Sequence, residues 1–379
     1  MEAASTPNLD KIARGGQCGL MHTLGRGKVP GSDVAHLTIF GYPMSEFYSG
    51  RGPIEVAGLG IELQDGDVAL RGNLATVDDK WTIMDRRAGR LRDSTEFANA
   101  INGIEIDGVK FIVAPGTAYR VGVVMRGKGL SSAITSCDPK AVGVPVLQVK
   151  PTDSTPQAKF TASVLNKFLK RSNEILRSLP SNKGREYPAN FVLVRGAGQY
   201  RETPSMRERY GLEKSCCIAG GGLYKGIGAF LGMDIINVEG ANALPDSNVL
   251  AKFQAAVALQ GKYDFTFIHV KAGDSLAEDG DFLGKKAFIE KVDKAISELF
   301  KLSPDTLLVI TSDHSTPSEL RAHSADPVPI VFHGAGVRVD GVTEFGERAC
   351  AMGSLCHING SDVMPHILNI LGKLPLIGA

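Results

Sequence analysis

Short apolar runs bounded by glycine, proline or charge recur through the second half of the chain: "NFVLVRG" (190–196), "KSCCIAG" (214–220), "DIINVEG" (234–240), "YDFTFIHVKAGD" (263–274), "TLLVITSD" (306–313) and "PVPIVFHG" (327–334). Runs of this length and composition predict buried strands. Between them the apolar positions change period. In "GKKAFIEKVDKAISELF", Phe288, Val292, Ile296 and Leu299 recur at spacings of four, four and three, the stripe that a helix lays against a core. Strands alternating with helices predict an α/β fold, with a mainly parallel sheet flanked by helices on both faces.

The amino end and the middle depart from this rhythm. "MEAASTPNLDKIARGG" opens at once on a helix signature, with Thr6 as N-cap, Pro7 at the first helical position, and no strand in front. From residue 60 to residue 187 the alternation is weaker, as in "KFIVAP" and "YRVGVVMRG", and one long amphipathic helix, 159–179, ends at Pro180. These segments predict a smaller inserted α+β domain, 60–187, within an α/β domain built from 1–59 and 188–379.

A chain of 379 residues has room for two such domains. Its 42 basic against 41 acidic side chains leave a net charge of +1, which argues against a dedicated nucleic-acid or membrane-surface binder. The six cysteines form no CxxC pair, and that usage fits reduced thiols in a cytoplasmic protein. Neither a secretory signal nor a run of eighteen apolar residues is visible, so nothing in the sequence directs the chain into a membrane.

Candidate chemistry gathers where predicted strands end. In an open parallel sheet, ligands collect at the carboxyl ends of the strands. Asp274 follows "FIHVKAG", the pair Asp313 and His314 follows "LLVITS", and His323 lies in the next loop. Any one of these has an ordinary reading as a cap or core residue. Together they predict a metal site whose oxygen and imidazole donors suit Mn, Zn or Co, with Mg as an alternative. Far upstream, "GKVPGSDVAHLTIFGY" puts Ser32 at the start of a helix, where backbone N–H groups favour an anion. From spacing alone, Ser32 as a helix cap is the simpler reading.

The motifs "TPNLDKIA", "VPGSDVAHLTIFGY", "GRGPIE", "ATVD", "DRRAGR", "PANFVLVRGAG", "YKGIGAFLGMD", "FIHVKAGD", "DHSTP" and "HSADPVPI" resemble, in order, those of the archaeal-type cofactor-independent phosphoglycerate mutases of the alkaline phosphatase superfamily. The resemblance runs from Glu2 to about Leu371. It implies an alkaline-phosphatase-like α/β fold with an inserted substrate-binding domain. It also implies interconversion of 3-phosphoglycerate and 2-phosphoglycerate, two divalent cations (Mn first, with Mg, Co or Zn as alternatives), and no need for 2,3-bisphosphoglycerate. The only partners it implies are phosphoglycerates, with no nucleic acid and no membrane. Ser32 would be the phosphoryl-accepting nucleophile. One cation would be held by Asp274, position 278 and His323, the other by Ser32, Asp313, His314 and an aspartate.

The chain departs from that pattern twice. Position 278 carries Glu278 where the family has histidine, and glutamate can ligate the same metals through oxygen. The aspartate of the second set belongs to a central strand of the type "ILIIDG" that would precede residue 1, so the resemblance leads us to expect a truncated amino end. For the substrate, which carries a carboxylate and a phosphate, Arg86, Arg87, Arg120, Arg195 and Lys225 are the expected anion-binding residues. Arg90 and Arg126 are further candidates. A metal-dependent phosphatase on the same scaffold, or a non-catalytic relative favoured by Glu278 and the missing aspartate, are the alternative readings.

Overall fold

The computed structural model describes residues 2–374, 376 and 378. The chain divides into two compact units, which part after Tyr48 and again after Thr203. The sequence reading had put these boundaries at residues 60 and 187.

The first unit contains two sheets where one was expected. Strands Ser215–Ile218, Phe265–Ile268 and Asp234–Ile235 form a parallel sheet with Ser215–Ile218 in the middle. Strands Leu308–Ile310, Val328–His333, Gly16–His22 and Cys356–Asn359 form the second, in that order. In this second sheet, Val328–His333 runs antiparallel to both neighbours, and Cys356–Asn359 runs parallel to Gly16–His22. Phe265–Ile268 and Leu308–Ile310, the strands that precede Asp274 and Asp313, are edge strands of different sheets. Among the described residues, no strand pairs with their outer edges.

A shared apolar layer joins the sheets without backbone pairing. Helix Pro7–Arg14 begins with proline at its first turn, as its sequence predicts, and buries Leu9, Ile12 and Ala13. It contributes to one core with Leu20, Ile218, Phe253, Phe288, Ile296 and Val331, against which Ile268, Leu308 and Ile310 also pack. Helices Val249–Ala258 and Phe282–Ile296 complete this layer. No described helix is long and apolar enough to cross a membrane.

The second unit is an antiparallel sheet backed by helix Pro156–Ser178, whose N-cap Thr155 accepts a hydrogen bond from Ala158 N–H. Strand Phe191–Gln199, which takes in all of "NFVLVRG" but its Asn190, pairs antiparallel with Val68–Val77 here. The sequence had assigned it to the parallel sheet of the other domain, because an apolar run reports burial but not which strand it pairs with. Phe111 and Phe168, both fully buried, stack at a centroid distance of 4.0 Å in this unit's core. Phe168→Ala is expected to cost roughly 3–5 kcal/mol, read as a lower urea midpoint for a probe in the second unit.

Candidate active site

The residue at the start of the second helix decides how this site is built. Gly31, not Ser32, takes the N-cap position of helix Ser32–Ile39, in extended backbone with φ −87° and ψ 153°. The Ser32 side chain therefore makes no capping hydrogen bond, and the helix-cap reading falls. Its Oγ instead lies 3.1 Å from His314 Nε2 and accepts from the Tyr224 hydroxyl at 3.4 Å.

His314 connects that hydroxyl to the rest of the cluster. Its Nε2 lies 3.2 Å from Asp313 Oδ2, and its Nδ1 lies 3.0 Å from Thr316 Oγ1. The Thr316 hydroxyl donates to Asp274 Oδ1 at 2.8 Å. His323 packs its ring on that of His314 at 3.6 Å, with Nε2 3.5 Å from Asp274 Oδ1 and 3.8 Å from the half-exposed Glu278. Ser32, Asp274, Glu278, Asp313, His314 and His323 thus form one continuous cluster within the first unit. Asp274 sits in the first turn of helix Ala272–Glu278, and Glu278 ends that helix, which places the two carboxylates one turn apart on one face.

Burial raises the cost of charge here, and the neighbours offset it. Burial opposes ionisation of Asp313, yet His314, His36 and His269 hold its carboxyl well below the usual range. Asp274 is lowered too: burial opposes it, and Lys271, Thr316 and His314 more than compensate. The Lys271 ammonium pairs with Asp274 Oδ2. Against its own desolvation, Tyr224, Asp274 and Glu278 raise its pKa. Burial pushes the Tyr224 phenol up and the His269 imidazole well down, and these two rings stack at 3.3 Å.

The donor set fits a divalent cation. Donor atoms of Asp274, His314 and His323 all lie within 4.8 Å of one another, a grouping that draws on both expected ligand sets. His323 Nδ1 lies 2.7 Å from the Pro30 carbonyl, which can only accept, so Nδ1 carries a proton and Nε2 is directed toward Asp274 and Glu278. Outer-shell anchoring of this kind orients imidazoles that bind metals. Asp313 Oδ2 is buried and accepts no aligned hydrogen bond, although two imidazoles lie within 3.7 Å.

A family model described as 2,3-bisphosphoglycerate-independent phosphoglycerate mutase matches residues 13–182. The protein of that name from Methanocaldococcus jannaschii, numbered 1 there, is 44% identical over 100% of this chain and 94% of its own length. The chain belongs to this family. Another phosphoglycerate mutase of the family, from Methanothermobacter thermautotrophicus, is 45% identical over 100% of this chain and 94% of its own. Among solved structures, a Pyrococcus horikoshii protein matches with a TM-score of 0.83 at 31% identity, covering 100% of this chain and 93% of that one. The cofactor-independent phosphoglycerate mutase from Thermoplasma acidophilum matches with a TM-score of 0.70 at 33% identity, over 97% and 93%.

The expected anion-binding residues are divided between the two units. Lys225, in the first unit, donates to Asn237 Oδ1 at 2.7 Å. In the second unit, Arg86 grips the fully buried Asp138 side chain with both arms of its fork, at 3.2 and 2.7 Å, and Arg195 lies 3.5 Å from the same carboxylate. Burial lowers the Arg195 pKa, and the nearby Arg71 and Arg86 charges lower it further. Arg87 and Arg120 are exposed and stand over the Tyr119 ring at 5.7 and 5.8 Å. Arg126 is paired with Asp67.

Asp138 holds two arginines at once, so its ionisation is tied to the stability of the second unit. Burial opposes that ionisation, but Arg86, the Lys140 N–H and Arg195 hold the carboxyl below its ordinary value. A lowered folded pKa contributes stability that is complete above the unfolded value of about 3.9 and lost as pH falls toward the folded one. Asp138→Asn is expected to lower unfolding free energy by about 1–3 kcal/mol at pH 7, with the gap to wild type narrowing below about pH 4. Urea titrations at several pH values check this, and a gap independent of pH would refute the assignment.

Proposed function

We propose that this chain interconverts 3-phosphoglycerate and 2-phosphoglycerate through a phosphoryl group carried on Ser32. The observation that best supports this reading is the position of Ser32 Oγ. It is released from capping by Gly31 and lies 3.1 Å from His314 Nε2 within a cluster of carboxylates and imidazoles. A hydroxyl placed this way is free to act as a nucleophile.

Asp274, Glu278 and His323 would hold one divalent cation, and Ser32, Asp313 and His314 the other. Mn suits this mixed oxygen and nitrogen set, with Mg, Co or Zn as alternatives. Bound there, such cations would lower the pKa of the serine hydroxyl and neutralise phosphoryl oxygens. Ser32 Oγ gives up its hydroxyl proton and forms a bond to phosphorus as the bond to the substrate's 3-oxygen breaks, and one proton is returned to that oxygen, so no net proton is lost. The retained glycerate then presents its 2-hydroxyl, which takes the phosphoryl group back and leaves Ser32 protonated. No separate phosphoryl donor enters, so 2,3-bisphosphoglycerate is not required.

The chain's own charges serve the substrate. Lys271 offsets the carboxylates that would otherwise repel a phosphate from the cluster. Lys225, with Arg86, Arg87, Arg120 and Arg195, is proposed to bind the substrate's phosphate and carboxylate. Because Arg86 is already committed to Asp138, Arg195 has the freer guanidinium for a bidentate contact.

With Mn supplied, phosphorus NMR is expected to show 3-phosphoglycerate converting to 2-phosphoglycerate with free phosphate a minor product. Ser32→Ala should abolish this with an unchanged circular dichroism spectrum, because the serine side chain caps nothing and its loss should cost less than the roughly 1 kcal/mol of a lost cap. Free phosphate without 2-phosphoglycerate would instead establish a phosphatase, and full activity in Ser32→Ala would remove Ser32 from the reaction. Dialysis against a chelator should remove activity and Mn should restore it. Glu278→His should bind Mn more tightly than wild type by equilibrium dialysis, and weaker binding would show that Glu278 is the better ligand.

A further inference from the structure

The hydrogen bonds around His314 have a direction fixed by their donors. Thr316 Oγ1 lies 2.8 Å from Asp274 Oδ1 and 3.0 Å from His314 Nδ1. A threonine hydroxyl carries one proton, and an ionised carboxylate can only accept. That proton is therefore spent on Asp274, and Thr316 has only a lone pair to offer the imidazole. His314 must carry a proton on Nδ1, while its Nε2 also lies 3.2 Å from the Asp313 carboxylate. Nε2 faces Ser32 Oγ at 3.1 Å. Ser32 Oγ accepts from the Tyr224 hydroxyl on its other side.

Thr316 is 4% exposed, so bulk water does not replace its hydroxyl. Its backbone is anchored independently, because its carbonyl accepts from Lys285 Nζ at 2.8 Å. Loss of the hydroxyl would thus leave the loop in place and remove only the link between ring and carboxylate.

We infer that Thr316 is a positioning residue whose hydroxyl holds the proton on His314 Nδ1 and ties that ring to Asp274. It thereby couples the half of the site containing Asp274, Glu278 and His323 to the half containing Ser32, Asp313 and His314. Its catalytic consequence rests on the two-cation mutase reading above, whereas the Nδ1 proton does not.

Three measurements test this on the full chain with Thr316→Val, which keeps shape and removes both donor and acceptor, and Thr316→Ser, which keeps the hydroxyl. Nitrogen-15 long-range spectra of the metal-free protein, with His314 assigned by its loss in His314→Gln, should show Nδ1–H in wild type and Thr316→Ser but not as the single form in Thr316→Val. Calorimetric titration with Mn alone should show about 10- to 100-fold weaker binding in Thr316→Val and near wild-type binding in Thr316→Ser. With 3-phosphoglycerate, kcat should fall about 10- to 100-fold in Thr316→Val while KM moves less than about twofold. An Nε2–H tautomer in wild type, or Mn binding in Thr316→Val as tight as in wild type, overturns the inference. If Thr316→Val does not fold, the wild-type tautomer and the Thr316→Ser titration still decide it. A wild type that turns over no phosphoglycerate would defeat the mutase reading, while the tautomer and Mn titrations would still judge Thr316.

Discussion

The site depends on keeping carboxylates ionised after they leave water. An unpaired buried charge costs several kcal/mol, and neighbouring groups must repay that cost or the group will take up a proton. Asp313 is surrounded by the imidazoles of His314, His36 and His269, and Asp274 by Lys271 and the Thr316 hydroxyl. The compensation sets the geometry. Each imidazole or ammonium that offsets a carboxylate is thereby held beside it, and Ser32 joins the group through His314.

The scaffold carries these groups on segments that are otherwise ordinary. A glycine at the cap position shifts Ser32 one residue into its helix and so frees its oxygen. His323 reaches from its own loop to the carbonyl of Pro30, which links the turn before Ser32 to the loop after Asp313. A threonine bridge at one point and a cap omitted at another thus act on the same few atoms.

Much of this was legible in the sequence, and the remainder has physical reasons for being hidden. The Asp313 and His314 pair after an apolar run, with His323 beyond it, announces polar donors at a strand end, a local pattern. The role of Ser32 turns on one residue of helix register, and spacing cannot resolve that. "NFVLVRG" reads correctly as a strand, but its partner Val68–Val77 is a long-range fact. Alternation of strands and helices likewise predicted one mainly parallel sheet, because it counts strands without showing which pair or that Val328–His333 runs antiparallel. Tyr224, Lys271 and Thr316 escaped notice for a different reason. A tyrosine in an apolar helix reads as core, a lysine near an acid as a surface pair, and a threonine after histidine as a turn residue. Only their distances to Ser32 and Asp274 give them meaning.

The short strands that lead into the cluster have a thermodynamic consequence. Phe265–Ile268 and Leu308–Ile310 are four and three residues long, each with a ladder on one side only among the described residues, and they lead into Asp274 and Asp313. Short strands make few ladder hydrogen bonds and can open locally at lower free energy than the fold as a whole, and the groups with the most demanding geometry lie beyond their ends. Anything that binds Asp274 and Asp313 together acts as a crosslink between the two sheets, and it raises the free energy of opening each edge with the logarithm of its concentration over its Kd. Occupancy of the site and cohesion of the two sheets are in this sense a single linked equilibrium.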